Sequence, residues 1–221
     1  MEVTRRGVLR WGVGALGAAA LSGCSGGRTP PGTVDSDGTL SSPHWPGGSP
    51  RWRLVRPDPT QVPAPRVVVA LHGKGGSVGD AAFLGLFDQV ARLRLAVAAV
   101  DCGGTYLHAR KDGSDVGALV IEDLLPVLRA QGVSSAPVGL LGWSMGGYGA
   151  LWLAAHYGRA VVGAVGGMSS ALWTSAGASA PGAFDNREDF VAHDVFARAA
   201  ALRGMPLRLD CGTSDPFIAA N

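Results

Sequence analysis

One segment of this 221-residue chain carries residue types that can form and break a covalent bond: Gly142-Trp143-Ser144-Met145-Gly146, continued by Gly147-Tyr148-Gly149. A serine hydroxyl is a weak nucleophile at neutral pH, so its use requires a base to take its proton and donors to hold the oxyanion formed on an attacked carbonyl. The pattern G-x-S-x-G serves this chemistry when it sits on a tight corner between a buried strand and a helix, which lifts the hydroxyl clear of the sheet. That context is present: an apolar run at 138–141 enters the corner, and a helix is predicted from about Met145. Small residues at 142 and 146 let the flanking segments pass closely, and Ser144 itself takes a strained backbone. Ser144 is the candidate nucleophile.

The oxyanion donors can be placed from the same reasoning. The Met145 N–H opens a helix, where backbone donors lack intrahelical partners and the dipole favours negative charge. Leu71-His72-Gly73-Lys74-Gly75-Gly76 follows the apolar run 67–71, and its glycine-rich turn can aim a second N–H, from Lys74 or Gly73, at the same point. His72 is expected to brace this loop by hydrogen bonds rather than to transfer a proton.

Those residues need elements to hold them. Short apolar runs at 67–71, 96–100, 138–141, 161–165 and 207–209 read as strands, and 51–56 as a further N-terminal one. Strands apolar on both faces belong to a parallel sheet covered by helices on either side, which is the α/β class. Helices are predicted at about 80–92, 116–131, 145–157 and 194–203, with Gly132, Gly158 and Gly204 as stop signals and a kink at Pro126.

At this point the chain resembles the α/β-hydrolase superfamily, and within it the esterase family that includes S-formylglutathione hydrolase and the mycobacterial mycolyltransferases. The resemblance covers about residues 51–217. It rests on His72-Gly73, on Gly142-Trp-Ser-Met-Gly-Gly-Tyr-Gly, and on Asp210-Cys-Gly-Thr-Ser-Asp215-Pro-Phe217. It implies a Ser-Asp-His triad in that chain order, with the acid in the loop after the strand at 207–209, the slot that Asp215 fills. Asp215 is also the residue type that caps a helix beginning at Pro216, and one aspartate can do both. In the same order the base should follow Asp215, yet the histidines stand at 44, 72, 108, 156 and 193. The expectation is an α/β-hydrolase domain over 51–221 that lacks its final strand and triad histidine, truncated at its C-terminus. The strand at 207–209 would then be an uncovered edge, and activity would be low. The resemblance implies an ester substrate. An acyltransferase of the mycolyl type, or a non-catalytic surface binding protein on the same fold, are the alternatives.

The N-terminus reads as an address. Thr4-Arg5-Arg6-Gly7-Val8-Leu9 resembles a twin-arginine export signal, and the apolar run 11–21 has 11 residues where a spanning helix needs about 20. Leu21-Ser22-Gly23-Cys24 resembles a lipobox, so a signal peptide over 1–23 and lipidation of Cys24 are expected, anchoring the protein to the outer face of a bacterial cytoplasmic membrane. Between them and the body, residues 25–50 hold 19 Gly, Ser, Pro or Thr among 26, which reads as a flexible tether over 24–50.

Composition bounds the rest. The chain is 47% hydrophobic and 16% charged with a net charge of +2 and no charge run, which argues against disorder and against nucleic acid as a partner. No cofactor signature or metal-ligand spacing is apparent. The strand order that the resemblance implies places the strands before Cys102 and Cys211 about four steps apart, about 19 Å at 4.8 Å per step, so free thiols are predicted. Specificity is expected in the loops 103–115 and 169–189, with Tyr106, His108, Trp173 and Phe184.

Overall fold

The computed structural model describes residues 29–221. The twin-arginine motif, the apolar run and Cys24 lie outside them. Seven strands form one sheet: β1 Thr33–Thr39, β2 Arg51–Pro57, β3 Arg66–Leu71, β4 Ala96–Val100, β5 Ser134–Trp143, β6 Val162–Met168 and β7 Leu207–Asp210. Their spatial order is β1-β2-β4-β3-β5-β6-β7. β4, β3, β5, β6 and β7 run parallel, while β1 and β2 are antiparallel additions at one edge.

Side-chain alternation splits the apolar strand residues between two cores. Leu54, Val67, Val69, Leu71, Ala98 and Val100 face one core, which α5 (Met145–Tyr157) and the segment Val116–Ala130 cover. Val55, Ala70 and Ala99 face the other, under the short helices α1 (Asp80–Phe83) and α2 (Val90–Leu93). Burial on both faces is why these strands read as unbroken apolar runs. α5 is buried from Met145 through Ala155, consistent with an apolar sequence all round.

Three expectations are corrected. The tether over 24–50 is folded from Thr33 onward. β1 pairs with β2 along its whole length, Asp35 takes a two-pronged ion pair from Arg53 (2.6 and 3.1 Å), and Leu40 is buried. Polar composition was compatible with a strand here because an edge strand needs backbone partners more than an apolar face, and charge on an edge guards against mispairing. The predicted helix at 80–92 is broken after Phe83, where Gly85 adopts a positive φ of 67°. The predicted helix at 194–203 is reduced to a 3₁₀ turn at Ala199–Leu202, while an unexpected helix, α6, forms at Arg187–Ala192, capped by the Asn186 side chain on the Asp189 N–H (2.8 Å). The helix at 116–131 is present in three pieces: α3 Val116–Ala118, a π-helical turn Leu119–Leu124, and α4 Leu125–Ala130. Pro126 falls in the first turn of α4, where its missing N–H costs no helical bond. Among the described residues β7 pairs only with β6.

Candidate active site

Ser144 stands between the end of β5 and the start of α5 with φ 52° and ψ −118°. This left-handed backbone costs a non-glycine residue about 1–3 kcal/mol and persists only where the surroundings impose it. The surroundings do: Ser144 N–H donates to Met168 O (3.0 Å), and its carbonyl accepts from Tyr148 N (3.1 Å) and Ala171 N (2.9 Å). A Cβ at Gly142 would overlap the Gly146 carbonyl, and one at Gly146 would overlap the Leu71 carbonyl. The two glycines are therefore what lets β5, α5 and the end of β3 converge on this corner.

The same convergence sets the loop at Gly73 against Ser144. A Cβ built on Gly73 would stand 3.4 Å from Ser144 Cβ, so this loop and the serine are in van der Waals reach. The first intrahelical bond of α5 is made by Tyr148 N–H, which leaves the N–H groups of Met145, Gly146 and Gly147 without intrahelical acceptors. The structure thus brings Ser144, Met145 and Gly73 together, with Lys74 next along the loop. Gly76 N–H closes the loop onto Gly73 O (3.0 Å), and Lys74 Nζ reaches across to Pro181 O (3.0 Å).

His72 is buried and its ring is fully committed. Its Nε2 accepts from Cys102 N–H (2.7 Å), so the proton sits on Nδ1, which donates to Gly73 O (2.7 Å). The ring ties the residue after β4 to the loop at Gly73, the bracing role expected of it.

Asp215 lies in the turn after β7, half-buried, with its carboxylate accepting from Phe217 N–H (2.8 Å). That bond, followed by one from the Ser169 hydroxyl, holds its pKa below the usual carboxylate range. Ser169 directly follows β6, which lies beside β5, and carries a positive φ of 45°. The aspartate therefore caps its local turn, as the sequence allowed, while staying ionised one loop away from Ser144. None of the described histidines is paired with it. His44 faces Glu122, His156 stacks on Trp152, and His108 and His193 meet Asp189 instead.

The loops expected to set specificity are fastened by residues whose role sequence spacing did not disclose. Arg110 donates from Nε (3.1 Å) and Nη2 (2.8 Å) to Asp185, and from Nη1 to the carbonyls of Thr105, Gly182 and Ala183. This guanidinium, with the Lys111 N–H, holds the Asp185 carboxyl below its ordinary range. Beneath the staple Tyr106, Trp173 and Phe184 pack together, with Tyr106–Trp173 centroids 5.5 Å apart and Trp173–Phe217 5.8 Å. A groove of about 690 Å³, lined by Phe184, Phe190 and Pro181 among residues 174–191, opens beside this cluster. Ser144 does not line it. The Lys74–Pro181 bond joins its rim to the loop that follows β3.

His108 is the other departure. Burial and the neighbouring His193 push its pKa down to about 4, and the ring stacks between Phe184 and His193. With Asp189 and His193 it forms a cluster whose ring and carboxylate atoms lie within 4.8 Å of one another. The partners are 81 residues apart, so only the fold reveals them.

Residues 113–221 match the esterase family model described as "Putative esterase". No curated protein matches the chain in sequence. Among solved structures, S-formylglutathione hydrolase from Agrobacterium tumefaciens superposes with a TM-score of 0.67 at 17% identity, over 84% of this chain and 88% of that one. MPT51 (FbpC1) of Mycobacterium tuberculosis gives 0.67 at 22% identity, over 83% and 77%. FphF, a fluorophosphonate-binding serine hydrolase of Staphylococcus aureus, gives 0.69 at 16% identity, over 85% and 82%. The chain has the α/β-hydrolase fold.

Proposed function

We propose that this chain is a serine ester hydrolase of the esterase family matched by its C-terminal half, acting through an acyl-enzyme on Ser144. The observation that carries the reading is the strained serine at the strand-to-helix corner, in reach of the Gly73 loop and beside the unpaired first-turn donors of α5. In the reaction the Ser144 oxygen attacks the ester carbonyl. The Met145 N–H, with that of Gly73 or Lys74, holds the oxygen that becomes negative, and collapse expels the alcohol and leaves the acyl group on Ser144. Water then releases the acid. An alcohol held in place of water would give acyl transfer from the same intermediate.

Asp215 is proposed as the triad acid on the strength of its slot after β7 and its ionised state. The proton acceptor for Ser144 is not assigned to any histidine within 29–221, because the rings of His72, His108 and His193 spend nitrogens on Gly73, Tyr106 and Asp189. Export through the twin-arginine route and a lipid anchor on Cys24 are proposed from the sequence motifs alone, placing the substrate outside the cytoplasm. No helix among the described residues is long and apolar enough to cross a membrane.

The test supplies the base. Incubating the chain with p-nitrophenyl butyrate and free imidazole should place a butyryl group on the peptide containing Ser144, faster with imidazole than without, and not in Ser144→Ala. A folded wild-type protein that acquires no acyl group at Ser144 would favour a non-catalytic binding module.

A further inference from the structure

Two backbone bonds hold Ser144 from outside its own helix. Its N–H donates to Met168 O (3.0 Å) and its carbonyl accepts from Ala171 N–H (2.9 Å), so residues 168–171, the reversal that follows β6, grip the strained serine from both sides. The reversal is tight, with Ser169 at φ 45° and its N–H tied to Asp210 O in β7 (2.7 Å). Ser170, at its centre, is fully buried against the first turn of α5: a Cβ added at Gly147 would stand 2.6 Å from Ser170 Oγ. Any shift of Ser170 therefore moves the Ala171 N–H on which the Ser144 carbonyl rests.

Ser170 belongs to no strand or helix, and a side chain 51 residues further on supplies its backbone partners. Asn221 Oδ1 accepts the Ser170 N–H (3.0 Å), and Asn221 Nδ2 donates to the Ser170 carbonyl (2.7 Å), which also accepts the Leu172 N–H (2.8 Å). Among the described residues no other acceptor meets the buried Ser170 N–H, a group that must be paired when it cannot reach water. The amide orientation is fixed by its partners, because an N–H requires the oxygen and a carbonyl requires the NH₂. The second Nδ2 hydrogen goes to Phe217 O (3.1 Å), and the Phe217 N–H is the donor that the Asp215 carboxylate accepts (2.8 Å). One primary amide thus joins the turn of Asp215 to the reversal that grips Ser144.

We propose that Asn221 is a positioning residue for Ser144, acting through Ser170 and Ala171; the inference rests on the reading of Ser144 as the nucleophile. Asn221 touches no ester and moves no proton. Its amide sets where the Ala171 N–H stands, and with it the backbone from which the Ser144 hydroxyl projects toward a bound carbonyl. A misplacement of reacting atoms by about 1 Å can cost about 100-fold in rate. Such a loss falls on the reaction step rather than on ester binding. The residue type is constrained as well. Alanine leaves the Ser170 N–H orphaned, while aspartate keeps an acceptor for that N–H but turns a carboxylate oxygen toward the carbonyls of Ser170 and Phe217, where donors are needed.

At a fixed imidazole concentration, Ser144 acylation by p-nitrophenyl butyrate is followed against ester concentration in the wild type, Asn221→Ala, Asn221→Asp and Ile218→Ala, each at a temperature where circular dichroism shows it folded. Ile218, 45% exposed on the same turn, is the control. Both Asn221 variants should lose about 10-fold or more in the saturating rate, with the half-saturating ester concentration within about 2-fold of wild type, and Ile218→Ala should match wild type. Amide exchange followed by NMR should show Ser170 and Ala171 losing protection in Asn221→Ala by about 10-fold or more while the amides of β3 and β5 keep theirs. A folded Asn221→Ala that acylates at the wild-type rate, a loss carried by ester affinity alone, or unchanged protection at Ser170 would overturn the inference and leave the Ser144 reading standing. A wild type that is never acylated would overturn the Ser144 reading and the positioning role together.

Discussion

His72 shows how much of the site rests on single side chains. Its Nε2 satisfies a buried Cys102 N–H and its Nδ1–H satisfies the Gly73 carbonyl, so removal leaves one orphan donor and one orphan acceptor. Each such group costs about 1–3 kcal/mol when it cannot reach water. His72→Ala should therefore lower the stability measured by urea unfolding by about 2 kcal/mol or more, and an effect below about 0.5 kcal/mol would mean that the ring does not brace the loop. The sequence disclosed this role because a histidine beside a glycine-rich turn after a buried strand has few other employments. It could not disclose His108, whose partners Asp189 and His193 are set by the packing of two loops.

At the scale of elements, the loop after β4 and the segment leading into α6 are held together by Arg110 and Asp185, whose side chains are only 9% and 12% exposed. The Asp185 carboxyl titrates below its unfolded value because Arg110 and the Lys111 N–H favour the anion. Its contribution to stability is complete above the unfolded pKa of about 3.9 and is lost as pH falls through the lower folded value. The stability difference between wild type and Asp185→Asn should accordingly be largest near pH 6 and shrink towards pH 3 in parallel denaturant titrations. A difference that stays constant over that range would show that the carboxylate charge contributes nothing. The parallel core strands and α5 were legible because burial on two faces and an apolar helix leave a strong pattern. β1 was not, because its residues answer to backbone pairing and to Arg53, neither of which leaves a hydrophobic period. The run 80–92 kept its apolar residues but lost its continuity at Gly85, where a local backbone preference outweighed the pattern.

Across the whole molecule, strand order decides what the thiols can do. Cys102 follows β4 and Cys211 follows β7, and the order β4-β3-β5-β6-β7 puts four inter-strand steps between them, about 19 Å at 4.8 Å per step. Both are free, and burial beside Asp101 pushes the Cys102 thiol up to about 12. At pH 8 a thiol reagent should therefore modify half-buried Cys211 in the native protein and reach Cys102 only after unfolding. Native labelling of Cys102, or a Cys102–Cys211 bridge under non-reducing conditions, would contradict this topology. The α/β class and the parallel sheet followed from the sequence. The placement of Asp215 beside Ser169, and the assembly of the aromatic cluster under Arg110, needed the fold, because each joins segments distant in the chain.

Hydrolase chemistry at this corner requires Ser144 to be a nucleophile. Reaction of the folded chain with a fluorophosphonate in the presence of imidazole, followed by peptide mass mapping, asks this without reference to any natural substrate. A nucleophilic Ser144 should give a single phosphonyl adduct on its peptide and none there in Ser144→Ala. An unmodified Ser144 in a protein shown to be folded, or an adduct that survives Ser144→Ala at the same peptide, would contradict it.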